Sequence, residues 1–179
     1  NGSHWVPGDI PKYSHRANLH YRGQKADIWE GGHRVPFLVH WPAQVAASTV
    51  SDQTICLTDL MATALDVLGE SLPTGAGQDS YSFLAALTQT KRSSERLVTI
   101  HHSVNGTFAI RKGDWKLIPD NLGSGGFSAP RVVKPKEGGP GGQLYNLRTD
   151  PSETKNVWQD NLKIVEELQT DLQRMRQGS

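Results

Sequence analysis

Cysteine is nearly missing from this 179-residue chain, which holds a single one, Cys56. One thiol excludes an internal disulfide framework and any zinc site built on cysteines, and it leaves the compartment open. An excess of charge is missing too. Nineteen Lys and Arg against eighteen Asp and Glu leave a formal net charge of +1. That removes the electrostatic case for nucleic acid or an anionic membrane as the main partner. No apolar run approaches the ~20 residues that span a bilayer, and neither a signal peptide nor an initiator methionine opens the sequence. The abrupt start, Asn1-Gly2-Ser3-His4, reads as a piece of something longer. There is no internal repeat. What remains is enough for one domain with a real core.

The densest stretch is Gly23-Gln24-Lys25-Ala26-Asp27-Ile28-Trp29-Glu30-Gly31-Gly32-His33-Arg34-Val35-Pro36, followed by the apolar run Phe37 to Trp41 and Pro42. A polar, Gly-punctuated segment feeding a strand-like run is how a loop carrying chemistry is mounted on a sheet. The plain alternative is a structural loop in which Arg34 pairs with Glu30 and Trp29 covers the edge of the core.

Along the chain, residues 1–24 have no period and read as irregular. Phe37 to Trp41 reads as a short strand stopped by Pro42. Thr58 to Leu68 is predicted as a helix burying Leu57, Leu60, Met61, Ala64, Leu65 and Leu68, with Gly69 as its C-cap. A second helix is predicted over Ser80 to Leu87, capped by Asp79. Residues 88–95 read as a polar linker. Leu97 to Ile100 reads as a strand, and Thr107 to Arg111 with Trp115 to Ile118 as a hairpin. Residues 119–142 read as a long, mobile surface loop. Gln143 to Leu147 is a further strand. The last helix is predicted over Asn156 to Arg176, with Val165, Leu168, Leu172 and Met175 as its seam and Trp158 and Leu162 extending it.

Chemical candidates are few. Cys56 sits among apolar neighbours with no base beside it and reads as a structural thiol. None of the seven histidines forms a metal-binding pair at helical spacing. His101 and His102 close a strand and point to opposite faces, so at most one reaches a substrate. Asn1 offers an amide carbonyl to a hard cation, with Asp9 or Asp27 as further oxygen donors, but no run of acids completes a cage. Lys25 is the natural anion binder, a flexible ammonium on a glycine-rich loop.

Taken in order, three stretches resemble a known family, the formylglycine-dependent sulfatases of arylsulfatase type in the alkaline phosphatase superfamily. Asn1-Gly2-Ser3-His4-Trp5 is similar to the end of the family's Asp-Asn-Gly metal motif. Gly23 to Pro36 resembles its Gly-x-Lys…Trp/Tyr-Glu-Gly-Gly-x-Arg-x-Pro segment. Ala109 to Ile118, then Leu144-Tyr145-Asn146-Leu147 with Asp150-Pro151-Ser152-Glu153 and Asn156, is similar to its C-terminal hairpin and terminal signature.

The resemblance implies calcium-dependent hydrolysis of sulfate esters by a formylglycine made from Cys or Ser. Asn1 would be a calcium ligand and Lys25 would contact the transferred sulfate. His101 or His102 would reach substrate, and Glu30 and Arg34 would brace the loop that aims Lys25. The family's nucleophile motif, Cys/Ser-x-Pro/Ala-x-Arg, is absent, and Cys56 does not replace it. The expectation is therefore a C-terminal piece, inactive alone, whose partners are a sulfate ester and the missing N-terminal portion. A non-catalytic anion-binding or interaction module, and a relative acting on phosphate esters or phosphonates, remain alternatives. A periplasmic, secreted or lysosomal location fits the family.

The expected fold is α/β, incomplete and sulfatase-like. Residues 1–90 form the edge of a large mixed sheet with flanking helices. Residues 91–179 form a small antiparallel sheet with a packed C-terminal helix. Core surface exposed where the missing part docks makes self-association an expected property.

Overall fold

The computed structural model describes residues 1–6, 8–89 and 96–177. They fall into two compact units, residues 1–36 with 100–179, and residues 37–99. These units follow packing and do not coincide with the segments 1–90 and 91–179 read from the sequence. The linker expected over 88–95 lies mostly outside the described residues.

The first unit is built on a four-stranded sheet of β1 (Thr99–His102), β2 (Phe108–Lys112), β3 (Trp115–Pro119) and β4 (Gly142–Asn146), in sequential order. The β2–β3 hairpin sets Ile110 opposite Leu117 and Lys112 opposite Trp115. Its turn places Gly113 at φ 56°, the left-handed backbone a two-residue hairpin loop needs. The β3–β4 pair sets Lys116 opposite Tyr145 and Leu117 opposite Leu144.

Alternation then divides the side chains between two buried faces. Ile110, Leu117 and Leu144 share the face that meets α5 (Leu162–Arg176), whose Val165, Leu168 and Leu172 are buried. Lys112 Nζ on that face pairs with Asp171 Oδ2 at 2.8 Å. Lys116 and Tyr145 share the other face. Two short helices, α1 (Asp9–Tyr13) and α2 (Glu30–His33), belong to this unit.

The terminal helix begins later than its apolar spacing predicts. Asn156 Oδ1 accepts N–H bonds from Leu144 at 3.0 Å and Trp158 at 3.1 Å, while its Nδ2 donates to Gly142 O at 2.9 Å. Those bonds extend the β4 edge and hold Asn156 out of a helix. Trp158 is buried as expected, but Leu162 is 60% exposed and does not extend the seam.

The second unit holds a 3₁₀ turn (Leu57–Asp59), α3 (Leu60–Leu68) and α4 (Leu84–Thr88). α3 ends at Gly69, φ 73°. α4 is shorter than predicted because the 3₁₀ turn and α3 bind the chain before it. Ser80 Oγ donates to Thr58 O at 2.7 Å, and the Phe83 N–H donates to Thr63 Oγ1 at 3.1 Å.

Two expectations fail here. Phe37 to Trp41 forms no strand among the described residues, because an extended run becomes a strand only through a neighbour's ladder. The apolar stripe of α3 is not its buried face either. Ala62 and Thr63 are buried, whereas Leu57, Leu60, Met61 and Leu68 are exposed. With Leu38 90% and Leu68 72% exposed, this unit presents more apolar surface than single scattered residues account for. Light scattering on the isolated chain is expected to show mass rising with concentration, and Leu38→Lys with Leu68→Lys to return it toward monomer.

Candidate active site

The dense stretch at residues 23–36 folds over the Lys116 face of the sheet. Ile28 and Trp29 enter a buried apolar cluster with Ala109, Ile118, Tyr145 and Leu147, and Trp29 Nε1 donates to Gln143 Oε1 at 2.9 Å. Arg22 lies over the Trp29 ring at 3.6 Å, a cation–π contact. The glycine pair is there for close approach. A Cβ on Gly31 would run into the carbonyls of Arg22 and Gly23, and one on Gly32 into that of Asp27.

That thin backbone lets the chain's first residues lie alongside. The Gly2 N–H donates to Gly32 O at 2.8 Å and the Lys25 N–H to Ser3 O at 2.9 Å. Gln24 Oε1 accepts the Trp5 N–H at 3.1 Å. The segment carrying Asn1 and the loop carrying Lys25 therefore run side by side, and both residues are exposed. An amide oxygen and an ammonium on one rim suit a hard cation and an oxyanion respectively.

The Lys25 loop is braced from beyond the sheet. Asp27 Oδ2 accepts the Gln24 N–H at 2.9 Å and Asp27 Oδ1 accepts the Ser128 N–H at 3.0 Å. With both oxygens taken, Asp27 is a structural acid and not a spare cation donor. Asp9 Oδ2 likewise accepts the Val6 N–H at 2.8 Å. The Ile28 N–H donates to Ser124 O at 2.8 Å and the Val104 N–H to Ala26 O at 3.0 Å.

Ser124 and Ser128 belong to the 119–142 segment expected to be mobile, and this part of it is internally bonded. Asn121 Oδ1 accepts N–H bonds from Gly123 at 2.8 Å and Val133 at 2.9 Å. Gln143 Nε2 donates to the carbonyls of Asn121 at 2.7 Å and Gly123 at 3.0 Å. Side-chain amides replace the apolar anchors that the composition lacks.

Beneath the loop lies a buried charged cluster. Lys116 Nζ, fully enclosed, sits 3.0 Å from Glu30 Oε1 and 2.9 Å from Glu153 Oε1, both carboxylates being almost wholly buried. Glu153 Oε2 also accepts the Glu30 N–H at 2.6 Å. Arg34 and Arg111 approach Glu30 Oε2 at 3.5 and 3.9 Å. Burial alone would raise the Glu30 carboxyl, but Lys116 and His33 hold it well below the usual carboxylate range. For Glu153 burial wins over Lys116, and its carboxyl is pushed up. One lysine cannot fully compensate two enclosed carboxylates, and the proton affinity falls on the one with fewer cations around it.

His33 and His101 complete the cluster. Their ring centroids lie 3.8 Å apart with the planes tilted by 42°, and His33 Nε2 is 3.3 Å from Glu30 Oε1. Burial first, then Lys116, lowers the pKa of both, His101 the further. Each Nδ1 is buried without a hydrogen-bond partner, so a proton there would be an unpaired donor. Unfolding restores the ordinary value of 6.5, so below it the unfolded chain binds protons that the folded chain refuses. Stability contributed by the two histidines is present above pH 6.5 and lost as pH falls. The melting temperature of the chain is expected to drop between pH 7.5 and 5.5, and His101→Gln to flatten that slope. Glu153, with its raised pKa, works in the opposite sense where it titrates.

His102 turns away from the cluster, with Nδ1 2.8 Å from Ser103 O and its ring against Phe108. The structure thus unites Asn1 with Lys25 at the rim and Glu30, Arg34 and His101 around Lys116. In the second unit, burial pushes the Cys56 thiol up, which suits a structural cysteine. Among the described residues no group of three or more His, Cys, Asp or Glu is placed to hold a metal ion. Calcium takes six to eight oxygens, and among the described residues no such acidic group surrounds Asn1. Lys116 and Glu153 are the site-organising residues that sequence reasoning missed. A lysine inside an otherwise apolar strand was the available signal.

The class defined by this fold and loop is borne out by comparison with known proteins. A family model described as Sulfatase matches residues 3–70. The chain is 32% identical to the N-acetylgalactosamine-6-O-sulfatase of Bacteroides thetaiotaomicron, over 87% of this chain and 30% of that protein. It is also 32% identical to an arylsulfatase of Hemicentrotus pulcherrimus, over 54% of this chain and 17% of that one. A solved 6S-sulfatase structure from a glycosaminoglycan-metabolism locus of Bacteroides thetaiotaomicron superposes with TM-score 0.69 at 32% identity, covering 89% of this chain and 32% of that one. The chain is similar to sulfatases over most of its own length. It spans less than a third of the length of these relatives.

Proposed function

We propose that this chain is the C-terminal part of an enzyme that hydrolyses sulfate esters. Lys25 contacts the transferred sulfate, and Asn1 supplies one oxygen to a calcium ion whose other ligands lie elsewhere. The observation that carries the reading is the pairing of the Asn1–Ser3 segment with the Lys25 loop, Lys25 N–H to Ser3 O at 2.9 Å. That pairing of backbones supports an oxygen donor and a cation sharing one rim, and the Glu30–Lys116–Glu153 cluster holds the loop from below. A fixed positive charge where negative charge accumulates on the sulfate and the leaving oxygen lowers the barrier without reorganisation. The calcium supplies further charge neutralisation when bound. Glu30 and Arg34 hold the loop and do not touch substrate.

The nucleophile, a formylglycine, comes from sequence outside this chain. The apolar surface of residues 37–99 is then the face on which the rest of the sulfatase packs, and the 179 residues alone are inactive. The N-acetylgalactosamine-6-O-sulfatase relative supports a sugar sulfate as substrate. Among the described residues no helix is long and apolar enough to cross a membrane.

The test uses the product of the complete reading frame that contains this sequence, assayed on 4-nitrophenyl sulfate and N-acetylgalactosamine 6-sulfate with and without a calcium chelator. Chelator-sensitive release of sulfate is expected, and none from the purified 179-residue chain. Robust turnover by that short chain would overturn the division of labour. A complete product that binds sulfate but hydrolyses neither ester would favour a non-catalytic anion-binding module.

A further inference from the structure

The glycine-rich loop between β3 and β4 leaves two large apolar side chains open, Phe127 and Val132, of which Phe127 is aromatic. Phe127 is 43% exposed. A single exposed phenylalanine is ordinary on a surface, but this one is held on both sides. The Ser128 N–H donates to Asp27 Oδ1 at 3.0 Å. Gly126 lies so close to Ala26 that a Cβ would collide with the Ala26 carbonyl, and its N–H donates to Ser124 Oγ at 3.0 Å. Ala26 and Asp27 directly follow Lys25.

From the other direction the His4 ring meets Phe127 edge-on, with centroids 5.5 Å apart and planes at 67°. His4 Nδ1 is 3.0 Å from Gln24 Oε1, and Gln24 directly precedes Lys25. Residues that flank Lys25 in the chain therefore hold this aromatic pair. Lys25 makes no ion pair of its own among the described residues. An exposed aromatic ring on a backbone tied to the residues flanking a lysine suits a ring that bears an anionic group.

We propose that Phe127, with His4 beside it, is the platform for the sugar ring of a sulfated pyranoside whose sulfate lies on Lys25. This rests on the sulfatase reading and adds the residues that choose the leaving group. A pyranose offers a face of C–H groups that packs on an aromatic ring, while its hydroxyls need donors and acceptors at the edge. His4 Nε2, with Nδ1 engaged by Gln24, is free to meet a ring hydroxyl. A sulfate on an exocyclic carbon lets the ring stay on Phe127 while the charge reaches the ammonium.

The experiment compares Phe127→Ala and Phe127→Trp in the product of the complete reading frame, on N-acetylgalactosamine 6-sulfate and on 4-nitrophenyl sulfate. Phe127→Ala is expected to raise KM for the sugar sulfate at least tenfold, with kcat within threefold, and to change kcat/KM for the aryl ester less than threefold. Phe127→Trp is expected to keep the sugar KM near wild type, and melting temperatures to match. An unchanged sugar KM in Phe127→Ala overturns the platform. An equal loss on both esters overturns its selectivity for sugar. Lys25→Ala separates the layers. Its loss of activity beside an indifferent Phe127→Ala sinks this inference alone, whereas no hydrolysis by the wild type sinks the sulfatase reading with it.

Discussion

Replacing Lys116 by methionine is expected to cost the isolated chain about 3–5 kcal/mol, the range for breaking a buried ion pair by removing one partner. Lys116 is fully enclosed and is the ammonium within 3.0 Å of both Glu30 and Glu153. Methionine fills much of the same space, so lost packing contributes little. The loss comes from two carboxylates left in the interior, with Arg34, Arg111 and His33 near Glu30 among the described residues. Denaturant unfolding should show the midpoint collapse or the cooperative transition vanish, and Glu153→Gln in the same background should recover part of it. A midpoint shift worth less than about 1 kcal/mol would show that water or neighbouring arginines already compensate the carboxylates.

The second large effect falls on activity. Lys25 is exposed on a loop whose every neighbour is tied down, at Ser3, Asp27, Ser124 and Ser128. Such a residue contributes little to the fold. On the proposed function, losing this charge in the product of the complete reading frame should lower kcat by about 10²–10³-fold. Arginine should restore only part of this, because a planar fork does not place its charge where a point ammonium does.

Much of this was legible in the residues. The hairpin turn at Gly113, the Gly69 cap of α3 and the buried seam of α5 follow from local periodicity and turn chemistry, and the structure agrees with them. The plain reading of the opening loop, Arg34 with Glu30 and Trp29 against the core, was also correct, and it coexists with the exposed Lys25. What stayed hidden was non-local. Lys116 meets Glu30 across 86 positions in the chain, and the Glu30 N–H meets Glu153 across 123. A lysine between Trp115 and Leu117 reads as a solvated strand face until a carboxylate is brought onto it.

Residues 119–142 misled for a related reason. Composition counts apolar anchors, whereas Asn121, Ser124 and Gln143 order that loop through amide and hydroxyl bonds. The helix stripe over Leu57 to Leu68 was periodic and still faced outward, because periodicity marks a surface that wants a partner without supplying one.

The most direct measurement is kcat/KM for sulfate ester hydrolysis by Lys25→Ala in the product of the complete reading frame, alongside a melting curve. A fall of two orders of magnitude or more, carried by kcat, is expected, with the melting temperature unchanged. An unchanged kcat/KM would remove Lys25 from the site and leave residues 23–36 as a structural loop alone.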